Sequence, residues 1–165
     1  MLDTIFHRVS VRKYEDRPVE TEKTEWMLKA AMAAPSAVNQ QPWEFYVVTN
    51  KKVIESLSQV TPYAGCAGKA PAVIAAAYRE ACPFPDYAQI DLAIAMENLW
   101  LAADALGLGG VWLGIAPTEA YMKKVGEMLA FPEGLKAFGL FAYGYPAESR
   151  PQQDRFDRER IHYIE

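Results

Sequence analysis

The chain has 165 residues, the size of one domain, with 51% hydrophobic and 23% charged residues, which excludes a disordered polar chain. Its 17 basic and 21 acidic residues leave a net charge of −4, which argues against general nucleic-acid binding. Two cysteines, Cys66 and Cys82, make no disulfide framework, and no Cys/His group has metal-ligand spacing, so no metal is expected.

Residues 3–7 read as one or two helical turns, and the start of the chain does not read as a signal peptide. The stretch Arg8-Val9-Ser10-Val11-Arg12-Lys13 follows, with three cations, a hydroxyl and no acid. In an extended segment Arg8, Ser10 and Arg12 point one way, and Val9 and Val11 the other. The polar face can hold an anion while the apolar face enters the core. A solvated basic run is the alternative.

Residues 14–18 read as a turn into an extended link. Thr21 is the expected N-cap of a helix with Met27, Ala30, Ala31 and Ala34 on one face, stopped by Pro35. Ser36 to Trp43 form a polar loop with an aromatic close, and residues 44–49 a short strand. Asn50 can cap a helix carrying Val53, Ile54, Leu57 and Val60 on one side. Residues 63–69 carry glycine and read as a mobile flap. Residues 71–78 form an apolar strand buried on both faces, and residues 81–87 a loop with two prolines.

Residues 90–106 make the longest helix, apolar nearly all round, and such a helix is central or lies at a subunit interface. Glu97, Asn98 and Asp104 interrupt it, so it does not read as a membrane span, and a reducing cytoplasm is the expected location. Gly107-Leu108-Gly109-Gly110 close this helix and lead into the strand Val111-Trp112-Leu113-Gly114. A dinucleotide fingerprint has the reverse order, strand then glycines then helix, so these glycines read as a C-cap. Thr118 heads a helix with Met122, Val125, Met128 and Leu129 inward, and residues 137–143 form the last strand. The tail from Tyr145 is polar, with Arg150, Arg155, Arg158 and Arg160. Phe156, Ile161 and Tyr163 suggest that it is docked.

Hydrolytic chemistry lacks its parts. No nucleophile elbow is present, and no serine or cysteine has a histidine nearby in sequence. Such a chain, if an enzyme, borrows its chemistry from a cofactor anchored at the basic stretch.

Four motifs in order give a sharper reading. The chain resembles the flavin-dependent nitroreductase family, in its short single-domain branch. Arg8 to Tyr14 resemble the family's opening basic motif, Ala34 to Trp43 its second, and Ala105 to Gly114 its third. Gly144-Tyr145-Pro146-Ala147-Glu148, followed by Asp154-Arg155-Phe156, resembles its end. The resemblance covers nearly the whole chain.

It implies an α+β sandwich with a mostly antiparallel central sheet flanked by helices, and a long central helix at a homodimer interface. Residues 1–165 would form one domain, with the tail 145–165 docked on the partner subunit. Two FMN molecules would sit at the interface. Arg8 and Ser10, with Val9 between them, and Arg155 from the tail would bind the FMN phosphate, since guanidinium forks suit phosphate oxygens. Arg12 would lie near the pyrimidine edge of the flavin, where a fixed cation stabilises the reduced form. Pro35, Ser36 and Ala37 would come from the partner, with Asn39 close by. Leu113 and Gly114 would run past the ring, where a backbone N–H can reach the flavin N5.

Ser36 and Asn39 have a plain loop role as the alternative. Trp43, Trp100 and Trp112 are expected in core or interface packing rather than flavin stacking, and Asp91 and Asn98 as buried anchors to loops. Tyr63 either lines the substrate pocket or packs in the flap. The chain departs from the family pattern at Gln153, where a basic residue is usual, and at Ala37, where some relatives carry a hydroxyl. It also lacks the longer insertions that wall the pocket in larger members.

The implied activity is an FMN-dependent oxidoreductase. Hydride would pass from NADH or NADPH through flavin N5 to a nitroaromatic, quinone or similar small acceptor, by a ping-pong mechanism with no catalytic side chain. The alternatives are a non-catalytic FMN-binding redox sensor or carrier, and a binding protein for another phosphate-bearing ligand. Neither nucleic acid nor membrane is an expected partner.

Overall fold

The computed structural model describes residues 2–152 and 154–165. Four strands form one sheet in the order β1-β2-β4-β3: β1 Trp43–Val48, β2 Ala72–Arg79, β3 Gly109–Gly114 and β4 Leu135–Gly144. All three pairings are antiparallel, so the expected mostly antiparallel sheet is wholly so among these strands. β2 lies second from one edge, and Ala72 to Tyr78 are all buried, which is why its sequence is a continuous apolar run.

The helices are α1 Leu2–His7, α2 Thr21–Met32, α3 Lys51–Leu57, α4 Ala88–Ala105 and α5 Glu119–Met128. α4 is the longest. It packs on α2 and on the sheet, burying Leu92, Ala95, Met96, Leu99 and Ala103. Its exposed residues Ile90 and Ile94 are also apolar, so the helix is apolar on its solvent side as well. Thr24 of α2 and Tyr143 of β4 share a buried 2.8 Å hydrogen bond. Burial raises the Tyr143 phenol above its ordinary value.

The cap of α4 is the one its glycines predict. Gly107 has φ 75°, its N–H donates to Asp104 C=O at 3.0 Å, and Leu108 N–H donates to Ala103 C=O at 2.9 Å. Asn50 caps α3 by accepting from the N–H groups of Lys52 and Val53.

Two local expectations are corrected. Thr21 is the first residue of α2 and Glu20 takes the cap position, without a side-chain cap bond. The Glu20 carboxylate is committed elsewhere, accepting from Tyr145 Oη at 2.7 and 3.0 Å. The stretch read as a flap is packed. Ala64–Lys69 form 3-10 turns in which Ala64 and Ala67 are fully buried, one turn apart on the same side.

Candidate functional site

The basic segment is extended and lies along β3. Ser10 forms a parallel bridge with Gly110, and Val11 N–H donates to Gly110 C=O at 3.0 Å. Val11 is buried against Gly109, where a Cβ would come within 2.7 Å of its Cγ2, so glycine allows this close approach. The alternation holds. Val9 and Val11 line one cavity of about 520 Å³, while Arg8, Ser10 and Arg12 line another of about 410 Å³, with Val9 between the two.

The smaller cavity joins the two ends of the chain. Arg8, Val9, Ser10 and Arg12 share it with Arg150 and Arg155 of the tail, and Trp100 of α4 also lines it. Arg8 is held from below. Its guanidinium lies 4.1 Å from the Trp100 ring centroid, and its Nε is 3.4 Å from Glu97 Oε1. Glu97 and Trp100 are three residues apart on α4, so one helical turn presents both to Arg8. Arg12 is exposed, and among the described residues its guanidinium forms no hydrogen bond or ion pair.

The tail is stitched to this segment before it reaches the cavity. Glu15 N–H donates to Tyr145 C=O, and Ala147 N–H to Lys13 C=O, each at 2.9 Å. Arg12 N–H donates to Glu148 Oε1 at 2.7 Å, and Gln152 Nε2 to Ile5 C=O at 3.3 Å. The Arg12 N–H holds the Glu148 carboxyl below the usual carboxylate range, with Arg150 adding to the effect. Tyr14 closes the stitch by donating toward the C=O groups of Val11 and Ala142, and burial raises its phenol far above the ordinary value. Gln153, the position of the family departure, lies outside the described residues.

Pro35, Ser36, Ala37 and Asn39 form a second centre, away from the arginines. None of them lines the 410 Å³ cavity. Their loop is held in an uncommon backbone. Val38, Asn39 and Gln41 have φ of 45°, 57° and 45°, in the left-handed region that a β-branched residue rarely adopts. The holding group is Asp91, 3% exposed on α4, which accepts from Ala37 N–H at 3.0 Å and from Gln40 Nε2 at 2.7 Å. Gln40 also binds Phe84 twice, donating to its C=O at 3.0 Å and accepting from its N–H at 2.8 Å. Ser36 Oγ accepts from Gln41 N–H at 3.0 Å. Asp91 is thus the loop anchor its sequence context suggests. Asn98, expected as a second buried loop anchor, is instead half-buried and donates to Ala30 C=O within α2 at 3.2 Å, so it ties α4 to α2 and not to a loop.

Leu113 and Gly114 end β3 at the sheet edge, Leu113 buried and Gly114 exposed. Backbone groups alternate along a strand. The parity that turns Gly110 C=O to Val11 therefore turns the Gly114 peptide groups away from β4 as well. A Cβ at Gly114 would meet nothing within 4 Å, so the sheet face over Gly114 is open as well. Tyr63 is exposed and lines neither cavity beside the basic segment. Trp43 is buried in the core, and Trp112 packs 5.5 Å from Phe138, centroid to centroid.

Trp100 and Arg150 line the arginine cavity without being expected ligands, Trp100 having been expected in packing, and Glu97 and Glu148 pair with the cavity's Arg8 and Arg150. Glu97 and Trp100 have a faint signal in their one-turn spacing. Arg150 has none, because its position depends on where the tail is stitched.

Comparison with known proteins accords with this geometry. The sequence profile of the Nitroreductase family matches residues 5–62 and 58–145, and the chain belongs to that family. A Methanothermobacter thermautotrophicus protein, provisionally named NADH dehydrogenase/NAD(P)H nitroreductase, is 39% identical over 163 residues, covering 98% of this chain and 85% of its own. The crystal structure of a Clostridium acetobutylicum protein, provisionally named NADH oxidase, superposes with a TM-score of 0.95 at 41% identity, covering 99% of each chain. The FMN-dependent nitroreductase of Clostridium difficile R20291 superposes with a TM-score of 0.93 at 29% identity, covering 100% of this chain and 99% of its own. No helix among the described residues is long and apolar enough to cross a membrane.

Proposed function

We propose that this protein is an FMN-dependent NAD(P)H oxidoreductase working as a homodimer, with residues 1–165 acting as one domain. The observation that carries the reading is the convergence of Arg8, Ser10, Arg12 and Arg155 on one cavity from opposite ends of the chain. Their chemistry fits a flavin mononucleotide. Fixed guanidinium forks and a hydroxyl suit a phosphate, and Trp100 and Glu97 fix the orientation of Arg8 before any ligand arrives.

Bound FMN would supply the redox chemistry, a ping-pong transfer of reducing equivalents from NADH or NADPH to a nitroaromatic, quinone or similar acceptor. The protein contributes position and field. Arg8, Ser10 and Arg155 hold the phosphate, with Val9 as the apolar spacer between the first two. Arg12, whose guanidinium is uncommitted among the described residues, would supply a positive charge at the pyrimidine edge. The outward peptide groups at Gly114 and the adjoining Leu113 form the wall beside the ring. No side chain need act as a nucleophile or general base.

Pro35, Ser36, Ala37 and Asn39 serve the partner's site, since their loop does not line the arginine cavity of its own chain. The dimer also accounts for apolar surface that one chain leaves open. Ile90 and Ile94 on α4 and Phe156, Tyr163 and Ile164 in the tail are exposed, and the outer edge of β1 carries no strand among the described residues. Docking the tail on the partner would cover its apolar residues. Tyr63, exposed and outside both basic-segment cavities of its own chain, is assigned to the acceptor side of a pocket that the partner completes.

The test is anaerobic spectroscopy of the full chain with FMN. The proposal expects a yellow protein whose flavin absorption is bleached by NADH or NADPH and restored by a nitroaromatic or quinone. A colourless protein after incubation with FMN would refute it. A yellow protein that neither nicotinamide bleaches would instead favour a non-catalytic flavin module.

A further inference from the structure

We propose that Arg150 is a fourth cation of the anion cavity, held in reserve on Glu148 and handed to the phosphate of the bound flavin nucleotide. The inference rests on the flavin reading and adds to it a residue that the family motifs do not include.

Three observations carry it. First, Arg150 lines the same 410 Å³ cavity as Arg8, Ser10, Arg12 and Arg155. Second, its position is fixed on both sides. Glu148 is tied to Arg12 N–H and Gln152 to Ile5 C=O, so the segment between them is pinned across the mouth of the cavity. Third, its present partner is easily exchanged. Arg150 Nη2 reaches Glu148 Oε2 at 3.2 Å, with the arginine side chain 47% exposed. The guanidinium end of this pair is half in water and makes one 3.2 Å contact, so its release costs less than that of a fully buried pair, although the Glu148 side chain is only 12% exposed. A guanidinium–phosphate contact is charge-assisted and can be bidentate, which makes it the stronger bond.

The exchange leaves Glu148 hydrogen-bonded. Glu148 keeps its 2.7 Å bond to Arg12 N–H through the other oxygen when Arg150 departs. Arg8 keeps Trp100 and Glu97. Arg150 also offsets the neutral Gln153, since the tail then brings two cations, Arg150 and Arg155, to one phosphate.

The experiment measures Kd for FMN and for riboflavin, which lacks the phosphate, by fluorescence titration of the full chain. Arg150→Gln should raise the Kd for FMN about tenfold and leave that for riboflavin unchanged, as the loss of one charge-assisted contact requires. Glu148→Gln removes the competing charge while its amide oxygen can still accept from Arg12 N–H, and should tighten FMN binding. Arg8→Gln is the control for the flavin reading. If it weakens FMN binding and Arg150→Gln does not, the Arg150 assignment is overturned and the flavin reading stands. If Arg150→Gln weakens FMN and riboflavin equally, Arg150 acts through the fold and not the phosphate, which also overturns it. Weaker FMN binding by Glu148→Gln would overturn the reserve role. If neither arginine variant changes FMN affinity, the flavin reading itself falls.

Discussion

Replacing Asp91 with asparagine should loosen the 35–41 loop far more than its single-atom change suggests. The reason lies in Gln40, whose orientation is locked. Its Nε2 donates to Phe84 C=O at 3.0 Å and to Asp91 Oδ2 at 2.7 Å, while its Oε1 accepts from Phe84 N–H at 2.8 Å. An asparagine that keeps the Ala37 N–H bond turns its own NH2 toward that Nε2, donor against donor. Flipping Gln40 relieves this only by breaking both Phe84 bonds. At least one charge-assisted hydrogen bond is therefore lost, about 1.5–3 kcal/mol. For a domain of this size each kcal/mol lowers Tm by about 2–4 °C, so a loss near 2 kcal/mol corresponds to about 4–8 °C. Strain adds to the effect, because left-handed φ values at Val38, Asn39 and Gln41 persist only while neighbours enforce them. Thermal unfolding followed by circular dichroism gives the first number. Hydrogen exchange at the Ala37 and Phe84 amides gives the second, and both should lose protection in Asp91→Asn. An unchanged Tm with unchanged protection at those amides would refute the clamp.

Arg12→Met should make bound flavin harder to reduce, and an unchanged midpoint potential would count against a field role for Arg12. Gly110→Ala drives a Cβ into the Phe141 ring and should cost about 1–3 kcal/mol, read as a shift in the urea midpoint; a neutral substitution would show that the β3–β4 face is looser than described. The Glu148 carboxyl is held below its ordinary value by the Arg12 N–H, so its stabilising contribution is complete above the usual carboxylate range and fades as pH falls through the lowered value. Limited proteolysis should therefore cut the tail somewhat faster below that range, where the protonated carboxyl still offers Arg12 N–H an acceptor, and should release it at neutral pH in Glu148→Ala, which removes the acceptor; a tail as resistant in Glu148→Ala as in the wild type would contradict the tether.

Much of the fold was legible because its signals are local. The uninterrupted apolar run of β2, the glycine cap of α4 and the Asn50 cap of α3 each depend on neighbours in sequence. Thr21 misled because a hydroxyl before an acidic first turn suits a cap, and only the fold shows that the chain enters the helix at Glu20. The supposed flap misled because its glycines outweighed the spacing of Ala64 and Ala67, three apart and both buried. At the site, the alternation of Arg8, Ser10 and Arg12 was readable. The packing of Arg8 on Trp100 and the placement of Arg150 were not, since each joins segments far apart in sequence.

The central claim is that the arginine cavity holds the phosphate of FMN, and equilibrium dialysis of the full chain against FMN and riboflavin tests it most directly. The account predicts one FMN per chain, bound more tightly than riboflavin. Most of that advantage should disappear in an Arg8→Ala/Arg155→Ala double variant, each contact being worth on the order of 1.5–3 kcal/mol. Equal affinity for the two flavins, or an FMN affinity that the double variant leaves untouched, would contradict it.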